Sequence, residues 1–136
     1  MREIKFRAWD KGLKRMIYLS EPTIENDDFS GIVFKLRDYF VSAFSSDRIE
    51  DLQLMQYTGL KDKNGREIYE GDICKVGETA DGKDILALIY WDEKTACFRY
   101  RFNMVVMLTR EDINPKNWEV IGNIYENPEL LEEAEE

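Results

Sequence analysis

"LMQYTGLKDKNGREIYEGDI", residues 54–73, decides how this chain is read. Asp62, Asn64 and Gly65 invite comparison with a calcium-binding loop, which needs ligands at positions 1, 3, 5 and 12 around a glycine at position 6. The register fails, because placing Gly65 at position 6 puts Leu60 at position 1 and Gly71 at position 12, and neither carries a carboxylate. Asn-Gly is instead a strong hairpin signal, since a type I′ turn requires positive φ at both central residues. Gly59 and Gly71 bracket that turn, where left-handed backbone or close strand approach favours glycine. The segment therefore reads as an elbow between strands, with Gly59, Asn64, Gly65 and Gly71 serving backbone geometry. Gln56, Thr58, Glu67, Glu70 and Asp72 keep a ligand-binding reading open beside it.

Working outward, the same period-two patterning continues. Leu52–Tyr57, Ile73–Val76, Ile85–Trp91, Cys97–Phe102 and Val120–Tyr125 are short runs rich in β-branched and aromatic residues, mostly separated by Gly and Asp. "DGKD" (81–84) and "WDEKTACF" (91–98) have the composition of tight hairpin connections, so this half of the chain is expected to form a small barrel or sandwich. At the other end, Ile4, Phe6 and Ala8 share one face of an extended segment and Glu3, Lys5 and Arg7 the other. A turn at Asp10, Lys11 and Gly12 returns Met16–Leu19 as the partner of an amino-terminal hairpin. Residues 20–31 have the polar composition of a solvated loop, and Ile32–Phe44 mixes period two with helical spacing, predicting a short strand that passes into a helix. Asn127 and Pro128 predict the cap and first position of a short carboxy-terminal helix with an acidic, solvated tail. The organisation expected is an amino-terminal hairpin and variable subdomain over 1–50, and a β-barrel domain with an acidic helix over 51–136.

Composition limits the chemistry. A chain of 136 residues, 43% of them hydrophobic, is long enough to bury a core. Histidine is absent, which removes the commonest general base and excludes Ser/His or Cys/His nucleophilic catalysis. Phosphate-binding and dinucleotide-binding glycine motifs are also missing from the sequence. Two cysteines without histidine cannot form a four-ligand zinc site, and Cys74 and Cys97, both in apolar strand-like runs, are expected to be buried reduced thiols. No catalytic residue, metal or cofactor is expected. With no apolar run long enough to span a membrane and no signal-peptide pattern at the start, a cytoplasmic protein is expected.

The formal net charge of −9 is unevenly spread. Residues 126–136 hold six acids and no base, whereas residues 1–15 hold six bases against Glu3 and Asp10. Arg2, Lys5, Arg7, Lys14 and Arg15, together with Arg99 and Arg101 of "CFRYRF", are thus candidate nucleic-acid contacts. The plainer reading gives both groups to solvated strand faces, with Phe98, Tyr100 and Phe102 turned to the core. Trp9, Tyr57, Tyr69 and Trp91 are candidate anchors of a protein-interaction surface. Trp118 suits the core equally well.

Three segments, "IKFRAWD" (4–10), "LMQYTGLKDKNGREIYEGDI" (54–73) and "WEVIGNIYENPELL" (118–131), in this order, resemble the YopX family of bacteriophage and prophage proteins. The resemblance implies a mainly β protein whose carboxy-terminal half is an SH3-like barrel. It brings no established activity and no catalytic residues. The functional expectation is a non-enzymatic phage or prophage accessory protein that contacts an unidentified host or phage protein. A nucleic-acid binder and an acidic DNA mimic are the alternatives. Uncovered sheet edges are also compatible with self-association.

Overall fold

In a computed structural model of the chain, residues 3–23, 33–36, 40–42, 52–104 and 108–132 are described. The fold is mainly β and divides into two compact units, Met1–Gln56 and Tyr57–Glu136, so the division falls inside a strand and not at residue 50. The amino-terminal unit is an antiparallel run in the order β4-β3-β2-β1, extended on β1 by the first half of β5. Its strands are β1 (Phe6–Asp10), β2 (Arg15–Thr23), β3 (Val33–Leu36), β4 (Phe40–Ser42) and β5 (Leu52–Lys61). The β1–β2 hairpin pairs Phe6 with Leu19 and Asp10 with Arg15. Asp10 shapes its turn by accepting from the amides of Gly12 and Leu13 at 3.0 and 3.1 Å. The left-handed residue of the turn is Lys14 (φ 53°) and not Gly12.

Two sequence expectations are corrected in this unit. Ser20–Thr23 continue strand β2, where a solvated loop was expected, because β3 pairs with β2 as far as Thr23↔Val33. Phe40–Ser42 form strand β4 and not the start of a helix. Pairing of Val33, Phe34 and Lys35 with Ser42, Val41 and Phe40 supplies backbone partners that local helical spacing cannot anticipate. The rest of the expected loop and helix lies outside the described residues.

The carboxy-terminal unit is the small SH3-like barrel. β5 continues from Tyr57 to pair with β6 (Glu67–Tyr69), a short strand not anticipated from sequence. β7 (Asp72–Glu78), β8 (Asp84–Asp92) and β9 (Cys97–Phe102) form an antiparallel meander, and β10 (Glu119–Asn123) returns along β7, giving the order β10-β7-β8-β9. A 3-10 turn at Pro115–Asn117, capped by the Asn114 side chain on the Lys116 amide, delivers Trp118 to the interior. Trp118 is fully buried with Ile68, Cys74, Ala87, Ile89 and Val120. The rings of Tyr100 and Phe102 meet it edge-on at 4.8 and 6.1 Å, an arrangement that suits the aromatic quadrupole.

The opening stretch is where this barrel is fastened. Lys61 and Glu67 pair at the mouth of the β5–β6 hairpin, while Tyr57 pairs with Tyr69, so β5 carries a bulge between them. Gly59 (φ 89°) lies in the bulge, and the Thr58 hydroxyl donates to Ile68 O at 2.7 Å and accepts from Leu60 N at 3.1 Å. The turn is not type I′, since Asn64 is not at positive φ. Gly65 N donates to Asp62 O at 3.0 Å and Asp62 N to Arg66 O at 2.9 Å, with Gly65 at φ 81°. That pattern is a three-residue loop ending in a left-handed glycine. Asp62 selects it, because its Oδ1 accepts from Asn64 N at 2.9 Å and Arg66 N at 2.8 Å.

The other carboxylate oxygen of Asp62 accepts from Val120 N at 2.9 Å, and Lys63 N donates to Trp118 O at 2.9 Å. One buried carboxylate thus closes its own turn and holds β10. Burial alone would push this carboxyl up, but the amides of Val120, Arg66 and Asn64, with the Arg66 charge beside them, outweigh it and hold the group below the usual carboxylate range. Gly71 (φ 87°) makes a second fastening, its N–H donating to Ile89 O at 2.7 Å and its carbonyl accepting from Ile124 N at 2.9 Å.

Past β10, the Asn123 side chain accepts from Tyr125 N and Glu126 N at 3.0 and 2.8 Å. Asn127 keeps the backbone part of its expected cap, its carbonyl accepting from Leu130 N at 3.1 Å, while its side-chain oxygen turns back to accept from Asn123 N at 3.3 Å. It occupies the space beside Gly122, where an added Cβ would sit 2.5 Å from Asn127 Oδ1. The chain then enters a single-turn helix, α1 (Glu129–Glu132).

Two outcomes follow for stability. Asp62→Asn leaves at least one of the three amides facing an NH2 group, so urea unfolding is expected to show a loss of about 1–3 kcal/mol. Because the folded carboxyl is depressed, its stabilisation is complete above the unfolded value of about 4 and disappears as pH falls through the folded value, so the variant should lose part of the wild-type acid dependence below about pH 4. Gly122→Ala should cost about 1–3 kcal/mol by overpacking against Asn127. In an Asn127→Gly background, which removes the whole side chain including the Cβ at 2.9 Å, the same change should cost clearly less, and equal costs in the two backgrounds would refute the contact.

Candidate interaction surface

A hairpin presents different chemistry on its two faces, and the β8–β9 pair does so along its whole length. The register places Ala87, Ile89 and Trp91 opposite Phe102, Tyr100 and Phe98, and on the other face Leu88, Tyr90 and Asp92 opposite Arg101, Arg99 and Cys97. The first face begins in the core, where Ala87 and Ile89 are fully buried. It ends beyond it, because the hairpin outruns the core, leaving Trp91 42% exposed with its ring edge-on to Phe98 at 5.1 Å. The aromatics of "CFRYRF" are half-buried and the arginines exposed, as ordinary strand alternation predicts.

The second face is polar and locally ordered. Arg99 Nε lies 3.0 Å from Asp92 Oδ2 and donates to Thr95 Oγ1 at 3.2 Å. Arg101 sets its guanidinium over the Tyr90 ring at 5.3 Å, a cation–π contact. The Thr95 hydroxyl, the Lys94 amide and the nearby Arg99 charge hold the Asp92 carboxyl below the usual range. Ala96 (φ 52°) supplies the left-handed residue that turns the chain between the strands.

Of the four aromatics singled out from sequence, only Trp91 is an exposed anchor. Tyr57 and Tyr69 are each 3% exposed, because they are cross-strand partners on the buried side of the β5–β6 ribbon, with rings 5.5 Å apart. Trp9 is half-buried between Met16 and Gln53 in the register of the other unit. The candidate cations are likewise dispersed. Arg7 is 1% exposed and is therefore no surface contact. Lys5 pairs with Glu3 at 3.2 Å, Lys14 and Arg15 are exposed beside the β1–β2 turn, and Arg2 lies outside the described residues. Arg99 and Arg101 stand together on β9.

The cysteines separate. Cys74 is buried in the core, where burial and then the nearby Asp72 and Asp62 push its thiol up to about 12. Cys97 corrects the expectation of two buried thiols, since it is exposed on the polar face at the hairpin end, its sulfur 3.2 Å from Thr95 Oγ1. No group of three or more Cys, Asp or Glu side chains among the described residues is placed to hold a metal. Nor is any described helix long and apolar enough to cross a membrane. The ordering roles of Asp92 and Tyr90 escaped the sequence reading, although their alternation with Leu88 on a strand was a visible signal.

The family model described as YopX protein matches residues 5–132. The solved structure of protein EF1440 from Enterococcus faecalis is 30% identical, with a TM-score of 0.65, and the alignment covers 96% of this chain and 99% of that one. No curated protein matches the chain.

Thiol chemistry checks the placement of the cysteines. A disulfide-exchange reagent at pH 8 should modify Cys97 in the folded protein and reach Cys74 only on unfolding. Equal native reactivity of the two thiols would contradict the buried position of Cys74.

Proposed function

We propose that this chain, which belongs to the YopX family, is a non-enzymatic protein-interaction module of a phage or prophage, acting in the host cytoplasm through its β8–β9 hairpin. The observation that carries this reading is Trp91, 42% exposed against Phe98 at a hairpin end. Exposed aromatics that are already ordered by a neighbour are the residue type that anchors protein interfaces at low entropic cost. The absence of histidine and the protonated, buried state of Cys74 support a role without nucleophilic or imidazole catalysis.

Nucleic acid is the second reading, favoured by the exposed Arg99 and Arg101. Against it, Arg99 is paired with Asp92, Lys5 with Glu3, and Arg7 is withdrawn from the surface. An interface for a phosphate backbone needs a row of cations free to displace counterions. The net charge of −9 adds a general repulsion, and it is also what a DNA mimic would carry.

The test is affinity capture from nuclease-treated host lysate with the full chain and with Trp91→Ala/Phe98→Ala. Capture of a protein at physiological salt, reduced at least about tenfold by the double variant as expected for loss of an aromatic anchor, supports the module. Capture of nothing above background counts against it. A DNA gel shift that weakens steeply with salt would transfer the function to nucleic acid.

A further inference from the structure

Strand β9 ends the order β10-β7-β8-β9. Its hydrogen-bonding direction follows from one contact, since Asn103 N donates to Leu86 O at 3.0 Å. Antiparallel ladders alternate bonded and non-bonded pairs, so Leu88↔Arg101 and Tyr90↔Arg99 are the bonded pairs. Phe98, Tyr100 and Phe102 therefore turn their N–H and C=O groups away from β8. Ile89, the partner of Tyr100, agrees with this, because its carbonyl faces the opposite way and accepts from Gly71 N at 2.7 Å. Among the described residues nothing bonds to these outward groups of β9.

The side chains along this edge are equally specific. Arg99 makes its contacts to Asp92 and Thr95 through Nε, at 3.0 and 3.2 Å, so its guanidinium is oriented without its amino groups being used in those contacts, and Arg101 is held in place by Tyr90. On the opposite face stand Phe98 and the exposed Trp91. We infer that β9 is a docking edge for an extended segment of a partner protein that alternates acidic and apolar residues, its acids beside Arg99 and Arg101 and its apolar side chains beside Phe98. Main-chain bonds provide affinity in such strand addition and alternate side chains provide selection.

Charge decides between possible occupants. A second copy of this chain adding β9 to β9 sets arginine beside arginine, whether the pairing centres on residue 99 or 100, and like charges in register destabilise a ladder. Single-stranded nucleic acid needs aromatic faces and cations on one surface. Here the rings and the guanidinium groups point to opposite faces of the strand, and Tyr100 and Phe102 are committed to Trp118. An acidic extended peptide satisfies both faces and the backbone.

This inference rests on the interaction-module reading and is tested separately from it. Fluorescein-labelled seven-residue peptides alternating Glu with Val, or Lys with Val, are titrated into the full chain at low salt and followed by anisotropy. The Glu-Val peptide is expected to bind about tenfold tighter, as two opposite-charge against two like-charge pairs would give. Arg99→Glu/Arg101→Glu should invert the preference, and Phe98→Pro, which removes an outward N–H and is tolerated on an edge strand, should weaken both peptides. Bound peptide should also slow hydrogen exchange at the amides of Phe98, Tyr100 and Phe102. Equal affinity for the two peptides, or a preference unchanged by the charge reversal, overturns the inference, as does displacement of the peptide by oligo(dT). Capture of a lysate protein that Trp91→Ala/Phe98→Ala abolishes and Arg99→Glu/Arg101→Glu leaves intact would keep the module and remove the acidic partner.

Discussion

The barrel depends on one buried carboxylate. Asp62 satisfies three backbone amides, two in its own turn and one in a strand that begins more than fifty residues later. A carboxylate out of water is tolerable only when donors surround it, so the turn must be shaped before β10 can be held, and β10 must be present before the charge is fully satisfied. The two requirements make the closure cooperative. Trp118 sits in the same closure, its carbonyl taken by Lys63 N and its side chain buried in one cluster with Ile68 and Ile89. The two hydrogen bonds between 62–63 and 118–120 thus tie the β5–β6 turn to the strand that closes the order β10-β7-β8-β9.

How much of this was legible in the sequence depends on whether the deciding interaction is local. Alternation in "CFRYRF" was sufficient to place its aromatics inward and its arginines outward, because facing is a property of one strand. The Asn64-Gly65 signal located a turn correctly and misjudged its type. The competing preference was present two residues earlier, in an Asp whose side chain captures the amides of residues two and four positions on. Phe40–Ser42 was lost for the opposite reason, since helical spacing is local and strand pairing with Val33–Lys35 is not.

The misplaced site residues share a physical cause. Periodicity assigns a side chain to a face, but it does not say whether another layer covers that face. Tyr57 and Tyr69 oppose each other on a covered face, Trp91 continues a buried face past the point where the core ends, and Cys97 falls on the uncovered side at the hairpin tip. Arg7, charged and on a strand read as having a solvated face, is 1% exposed. Burial of this kind is set by topology, and no window of sequence contains it.

The segments that carry the family resemblance are mostly consumed by the fold. Within 54–73, Thr58, Gly59, Asp62, Gly65 and Gly71 are accounted for by a bulge, a turn and two fastenings, and within 118–131, Trp118, Val120, Gly122, Asn123 and Asn127 are accounted for by the core and the chain reversal after β10. The β8–β9 hairpin, where Trp91, Arg99 and Arg101 stand, lies in neither. The residues that fasten the barrel and the side chains exposed on the β8–β9 hairpin therefore lie in different parts of the chain. The likeness of these segments to the family thus speaks first to architecture, and a fold does not by itself assign a function.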